Sequence, residues 1–215
     1  MKRPIPITTL FVDIGGVLLT NGWDHHARRR AARNFNLNYA EMEERHVLNF
    51  AAHEEDRVTF QEYLNRVVFY KNRSFSRAQF RAFMFAQSKP FTKMIDLVRN
   101  LKARHGLRIA VVSNESRELN AHRIREFNLN GFVDTFVSSC FVHARKPDEE
   151  MFRLALDISQ APIRNVLYIE NTPMFVQIAE AMGIRSILHT DYRSTCAKLA
   201  SFGLRNDEGA GHETR

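Results

Sequence analysis

The chain has 215 residues, 44% of them hydrophobic, and a formal net charge of +7. That length allows one α/β core with a modest inserted subdomain and is too short for two full-size domains. No apolar run approaches the roughly 20 residues that span a bilayer, and no signal-peptide pattern opens the chain, so we expect a cytoplasmic protein without a membrane partner. The positive charge suits a phosphorylated substrate. Its densest cluster, 28–30 with Arg33, is typical of a solvated helix face, so nucleic acid is not expected as a partner.

The first predicted strand, 8–12, is followed by about ninety residues without a convincing strand, which is too long for a simple link to a helix. A subdomain is therefore inserted there. Its helical patterns cover 26–34, 40–52, 60–70 and 77–87. Capping boxes, Thr59 with Glu62 and Ser76 with Gln79, open the last two helices. We predict a four-helix cap over the open end of a sheet.

Further strands are predicted along the rest of the chain. Apolar, β-branched segments lie at 107–113, 134–138, 165–169 and 185–188. Helical patterns lie between them, and those over 92–104 and 173–182 end before Gly106 and Gly183. This alternation predicts the α/β class: a Rossmann-like, doubly wound parallel sheet of about five strands with right-handed crossovers. The predicted domains are a core of 1–20 and 90–205, a cap of 21–89 and a flexible tail of 206–215.

Polar residues stand at the carboxyl ends of several predicted strands. The first strand ends in Asp13-Ile14-Gly15-Gly16-Val17, the second in Ser113-Asn114 and the fourth in Glu170-Asn171, while Lys146-Pro147 follows the third after a loop. Ligands of an open parallel sheet bind outside the carboxyl ends of its strands. We therefore expect these four segments to converge on one site.

In this order the segments resemble the four motifs of the haloacid dehalogenase-like (HAD) hydrolases. They are an apolar strand ending in DxxGV, a strand ending in SN, an isolated RKP, and an acidic strand end before a helix. Each motif alone is weak, but the order and spacing hold over nearly the whole chain. The helical insert is similar to the cap of the subgroup that contains haloacid dehalogenases, β-phosphoglucomutase and the phosphatase domain of epoxide hydrolase.

The resemblance implies a role for each residue. Asp13 would attack phosphorus and form an aspartyl-phosphate. Ser113 and the backbone N–H of Asn114 would bind the phosphoryl oxygens, and Lys146 would offset the phosphate's charge and keep Asp13 ionised. Magnesium, as in the family, would be held by oxygen atoms. Here these would come from Asp13, the Gly15 carbonyl and the Glu170-Asn171 pair.

Two positions depart from the family's phosphatase pattern. Gly15 stands where a second aspartate usually protonates the leaving group, a contribution worth about 10² to 10⁴-fold in rate. Asn171 stands where a second acidic residue usually touches the metal, so magnesium affinity should be weaker. Both departures predict slow or altered chemistry.

Three functions remain open. The first is a magnesium-dependent phosphatase of a small phosphorylated metabolite with reduced acid/base power. The second is a metal-free hydrolase like the haloacid dehalogenases, whose halide leaving group needs no proton. The third is a catalytically impaired protein that uses the pocket only to bind a phosphate-bearing ligand. In each case the candidates for ligand recognition are Asn21, Trp23, His25 and His26.

Overall fold

A computed structural model describes residues 6–206 of the chain. Its single sheet consists of β1 (Thr9–Val12), β2 (Arg108–Ser113), β3 (Thr135–Ser138), β4 (Val166–Glu170) and β5 (Arg185–Leu188), all parallel, in the order β3-β2-β1-β4-β5. The predicted α/β class and doubly wound parallel sheet are confirmed, and each strand begins and ends within one residue of its predicted bounds. β2 and β3 lie on one side of β1, and β4 and β5 lie on its other side. This change of side between β1 and β4 creates a crevice at the carboxyl ends of the central strands.

Both faces of the sheet are covered by helices. These are α5 (Thr92–His105), α6 (Arg117–Glu126), α7 (Ser139–Val142), α8 (Glu149–Ser159), α9 (Pro173–Ala181) and α10 (Tyr192–Ser201), numbered after the four helices of the insert. Successive strand residues point to opposite faces, so Leu10 and Val12 join a cluster with α5 while Phe11 joins one with α8 and α9. Burial on both faces explains why the central strands β1, β2 and β4 are mostly apolar, whereas the edge strands β3 and β5 are less buried and carry more polar residues.

The insert between β1 and β2 forms the predicted four-helix cap. It consists of α1 (His25–Asn34), α2 (Tyr39–Glu54), α3 (Phe60–Val67) and α4 (Arg77–Ala86). Both predicted capping boxes are formed, at Thr59 with Glu62 and at Ser76 with Gln79. The cap has a hydrophobic cluster of its own, drawn entirely from residues 31–84. It therefore packs as a unit and does not share the core of the sheet.

The chain enters and leaves the cap at neighbouring points. The backbone N–H of Thr20 donates to the carbonyl of Lys89 (2.9 Å), and the Thr20 hydroxyl donates to the carbonyl of Gln87 (2.8 Å). Arg123 on α6 ties both linkers to the core by donating to the Thr20 carbonyl and to the Ser88 hydroxyl, each at 3.0 Å. The two linkers are thus hydrogen-bonded to each other and to one buried side chain.

The predicted domain limits, 1–20 with 90–205 for the core and 21–89 for the cap, stay a prediction. The predicted tail, 206–215, lies outside the described residues except for its first position. Within 6–206, no helix has the length and hydropathy that a membrane span requires.

Candidate active site

A buried lysine lies between two carboxylates at the carboxyl edge of the sheet. Lys146 is 1% exposed, and its Nζ lies 2.9 Å from Asp13 Oδ1 and 2.6 Å from Glu170 Oε2. The same Nζ donates to the Tyr168 hydroxyl (3.0 Å), which in turn donates to Glu170 Oε2. When Lys146, Asp13 and Glu170 are ionised, the cluster carries one positive and two negative charges. Its net negative charge favours the binding of a further cation.

Backbone pairing in the sheet brings these groups together. Asp13 directly follows β1, and its backbone N–H donates to the carbonyl of Ile169 on β4 (3.0 Å). Ser113 ends β2 at the same edge of the sheet, and its hydroxyl donates to Glu115 Oε1 at 3.4 Å. The Asn114 side chain holds the loop of Lys146 by accepting from its N–H and donating to its carbonyl, both at 2.8 Å. The predicted residues Asp13, Ser113, Asn114 and Lys146 are therefore in one cluster, although Asn114 uses its amide to position the lysine.

The low-polarity surroundings shift the acidities of this cluster. Burial raises the pKa of Asp13 to about 7, with Lys146 opposing the shift and Glu170 adding to it. Burial by itself lowers the pKa of Lys146, but the two carboxylates outweigh it and the net pKa is raised. Lys146 therefore stays protonated at neutral pH and stabilises the ionised form of Asp13.

The predicted metal-holding residues also lie together. One terminal atom of the Asn171 carboxamide lies 2.9 Å from the Gly15 carbonyl oxygen and 3.0 Å from Glu170 Oε1. With nitrogen at that position the amide donates to both oxygens. The Asn171 side chain would have to turn its oxygen toward the Gly15 carbonyl before it could join that carbonyl and Asp13 as an oxygen ligand of a hard cation such as magnesium. Residues 6–206 contain no group of three His, Cys, Asp or Glu side chains that would form a site of another type.

Glu170 is the predicted metal residue with the most protein contacts. It is fully buried. Its Oε2 is bonded to Lys146 and Tyr168, and its Oε1 accepts from the backbone N–H groups of Asn171 and Thr172, both at 2.8 Å. A direct bond from Glu170 to a metal would have to replace one of these contacts, whereas an indirect role through the Asn171 amide would keep them.

Gly16→Ala should displace Asn171. Gly16 has a φ of +77°, and an added Cβ would lie 2.3 Å from Asn171 Nδ2. We expect a loss of about 1–3 kcal/mol of stability from the left-handed backbone, together with weaker activation by magnesium. Thermal melts and magnesium titrations of activity measure the two effects. Gly106→Ala is the matched control, because Gly106 has a φ of +63° with no atom within 4 Å of an added Cβ. An unchanged magnesium response in Gly16→Ala would separate Asn171 from the metal site.

A cavity of about 320 Å³ lies between this cluster and the cap. Of the predicted recognition residues, Asn21 and Trp23 line the cavity, whereas His25 and His26 do not. The two histidines are exposed on α1, with ring centroids 3.9 Å apart. Their position at the start of an amphipathic helix whose apolar face turns toward the cap core explains the difference.

Several residues at the site were not predicted from the sequence. They are Tyr168 in the floor and His46, His53, Glu54 and Tyr63 in the cap wall. A signal existed for two of them, because His46 lies on the helix predicted over 40–52 and His53 follows seven residues later, one position past the predicted end. A helix continued by one residue places both on one face. No sequence signal indicated Tyr168, because an aromatic residue inside an apolar strand is typical of a core.

The model of the haloacid dehalogenase-like hydrolases matches residues 19–189, most of the chain. This chain belongs to the haloacid dehalogenase-like hydrolase family. Asp13 precedes the matched range and is placed in the site by the structure. The membership makes the protein a hydrolase and agrees with the motif order of the sequence.

Individual relatives of this HAD hydrolase are distant. A candidate pyrophosphatase, PpaX, of Caldanaerobacter subterraneus is 27% identical over 100 residues, which cover 45% of this chain and 46% of that protein, so the match spans less than half of its length. A HAD family enzyme of Bacteroides thetaiotaomicron, solved with magnesium and inorganic phosphate, has a TM-score of 0.70 at 19% identity over 84% of this chain and 93% of that one. The L-2-haloacid dehalogenase of Xanthobacter autotrophicus, solved with chloropropionic acid covalently bound, has a TM-score of 0.61 at 13% identity over 93% and 85% of the two chains. At these identities the solved structures support the fold alone.

Proposed function

We propose that this HAD hydrolase is a magnesium-dependent phosphatase of a small phosphorylated metabolite and that it works through an aspartyl-phosphate on Asp13. The observation that carries the proposal is the buried ammonium of Lys146, 2.9 Å from Asp13 Oδ1, in a cavity that both residues line. A buried cation beside a nucleophilic carboxylate offsets the negative charge of an incoming phosphoryl group. The magnesium and phosphate in the B. thetaiotaomicron enzyme support the same assignment.

The reaction would proceed in two displacements. The Asp13 carboxylate attacks phosphorus, a new O–P bond forms, and the bond from phosphorus to the leaving oxygen breaks with its electron pair going to that oxygen. Water then attacks the same phosphorus and the Asp13 O–P bond breaks with its electron pair going to the carboxylate. Inorganic phosphate leaves with the protons of the water, and the Asp13 carboxylate is regenerated. Lys146 stays protonated through both steps, and Ser113 donates a hydrogen bond at the same edge. Because Gly15 offers no acid, the leaving alkoxide takes its proton from elsewhere, and turnover of ordinary esters should be slow.

The residues that would hold magnesium are Asp13, the Gly15 carbonyl and Asn171. Glu170 would position the Asn171 amide through its Oε1. When bound, the ion would supply positive charge to the phosphoryl oxygens. The Gly15 carbonyl and the Asp13 carboxylate support this assignment over a metal-free, dehalogenase-like site, because a hard cation takes oxygen ligands.

A substrate panel with and without magnesium tests the proposal. We expect magnesium-stimulated turnover of p-nitrophenyl phosphate, whose leaving group needs little protonation, and slower turnover of alkyl phosphates. Metal-independent chloride release from 2-chloropropionate would replace the proposal with a dehalogenase-like activity. Binding of phosphate or vanadate without turnover of any ester would replace it with a binding function.

Lys146→Met should both weaken phosphate binding and destabilise the fold. The change leaves the Asp13 and Glu170 carboxylates buried without their cation, and removal of one partner of a buried ion pair typically costs about 3–5 kcal/mol. Inhibition by vanadate and thermal melts measure the two effects. Adding Glu170→Gln should recover part of the melting temperature and none of the vanadate affinity. Unchanged vanadate inhibition in a folded variant would remove Lys146 from the phosphate site.

A further inference from the structure

One face of α2 forms the cap wall of the active-site cavity and carries two histidines. His46 and His53 line the same cavity as Asp13 and Lys146, and neither has a part in the proposed phosphoryl transfer. The His53 ring stacks on the Tyr63 ring at a centroid distance of 4.3 Å, and His46 meets the same ring edge-on at 6.0 Å. The two imidazoles are therefore fixed by one tyrosine.

Hydrogen bonds assign the proton of His46. The indole N–H of Trp23, which is a donor only, donates to the Tyr63 hydroxyl at 2.8 Å. The Tyr63 hydroxyl is buried, and His46 Nδ1, 2.7 Å away, is its other hydrogen-bond partner among the described residues, so the hydroxyl directs its own proton to Nδ1. With Nδ1 accepting, the neutral His46 ring carries its proton on Nε2. This nitrogen is a donor.

The opposite tautomer follows for His53. Its Nδ1 lies 3.0 Å from the carbonyl oxygen of Val58, which only accepts, so Nδ1 carries the proton. Nε2 then holds a lone pair and is an acceptor. The residue is 6% exposed, and Nε2 has no hydrogen-bond partner among the described residues. Burial lowers the pKa of His53 and lowers that of His46 to about 3, so both rings are neutral at neutral pH.

Both arginines that line the cavity are paired with glutamates. Arg28 is 7% exposed and makes a bidentate contact with Glu43 at 2.6 and 2.7 Å, and Arg123 pairs with Glu115. Glu54 Oε2 accepts two hydrogen bonds from Arg145. Of the described residues lining the cavity, only Lys146 presents its positive charge at the phosphate site. A second phosphate on the leaving group would meet no further unpaired cation.

We propose that His46 Nε2–H and His53 Nε2 act as a neutral donor–acceptor pair that recognises a hydroxyl group on the leaving group of the substrate. A hydroxyl can accept from His46 Nε2–H or donate to His53 Nε2, whereas a methylene leaves His53 Nε2 unpaired and a fully ionised phosphate has no proton to donate to it. The substrate is then a small hydroxylated monophosphate ester and not pyrophosphate. This inference rests on the proposed phosphatase function for the position of the phosphate.

Two esters of equal carbon number test the pair: glycerol 1-phosphate and propyl phosphate. A neutral hydrogen bond contributes about two- to tenfold, so we expect wild-type kcat/KM to favour the glycerol ester by about tenfold and pyrophosphate to be a poor substrate. His46→Leu and His53→Leu should each reduce that preference, measured as the ratio of kcat/KM for the two esters, to about twofold or less. His25→Leu is the matched control, because it removes an exposed cap histidine outside the cavity.

Binding provides a readout that does not depend on turnover. Calorimetric titration of both esters into the Asp13→Asn chain should give the same preference as kcat/KM. If no ester is turned over with magnesium but the glycerol ester binds about tenfold tighter than the propyl ester, the phosphatase proposal is wrong and the histidine pair stands. Equal wild-type affinity for the two esters, a preference that survives both leucine variants, or preferred hydrolysis of pyrophosphate would overturn the histidine pair. The comparison of the two esters on the wild-type chain tests the histidine pair even where a variant fails to fold.

Discussion

Asp13→Asn should abolish hydrolysis and leave the fold intact. An amide is a poor nucleophile, and loss of a nucleophile in a hydrolase typically lowers kcat by several orders of magnitude, up to about 10⁶. The substitution also removes one of the two buried anions beside Lys146 and leaves a balanced pair with Glu170, 2.6 Å away. The melting temperature should therefore not fall. Steady-state rates and thermal melts of the same preparation measure both.

The matched control is Asp148→Asn. Asp148 caps α8 by accepting from the N–H of Glu150 at 3.0 Å, is exposed, and does not line the cavity. Asparagine is as good an N-cap as aspartate, so this variant should keep both rate and stability. More than about a tenth of wild-type activity in Asp13→Asn would show that another group attacks, since loss of a nucleophile should lower the rate far more.

Gly15→Asp should raise turnover of alkyl phosphates by about tenfold or more, because it restores an acid where the family's phosphatases have one. The backbone permits the change. Gly15 does not lie in the left-handed region, and an added Cβ would be 3.2 Å from Asn21 Oδ1 and 3.9 Å from Asp13 Oδ2. Only a small shift of the exposed Asn21 side chain is needed.

The gain should depend on the leaving group. An alkoxide leaves poorly without a proton, whereas nitrophenolate needs little help, so the ratio of alkyl to nitrophenyl turnover should rise. Gly15→Asn is the control, since it has the same size and no acid. A folded Gly15→Asp chain with no gain on the alkyl ester would contradict the view that the missing aspartate limits the rate.

Much of the fold was predictable because its signals are local. The central strands are mostly apolar segments of four to six residues. Capping boxes and left-handed glycines mark the helix ends, as at Gly106. The motif order then predicted that Asp13, Ser113 and Lys146 follow neighbouring strands of one sheet. The structure brings all three side chains together.

The cap wall was not predictable in this way, because it depends on packing between helices. Arg28 lies in the basic cluster that predicted a solvated helix face, yet it is buried because α2 brings Glu43 against it; its neighbours Arg29 and Arg30 are exposed. The tautomers of His46 and His53 likewise depend on partners 17 and 5 residues away along the chain. No local pattern encodes these contacts.

The paired linkers have a consequence for how such an enzyme can diversify. Because Thr20 and Lys89 are hydrogen-bonded neighbours, the segment between them leaves the core and returns to it at one place. Insertions, deletions or wholesale exchange within that segment need not move the strands that carry Asp13 and Ser113. Ligand preference and chemical competence are thus separable traits, which selection can change one at a time.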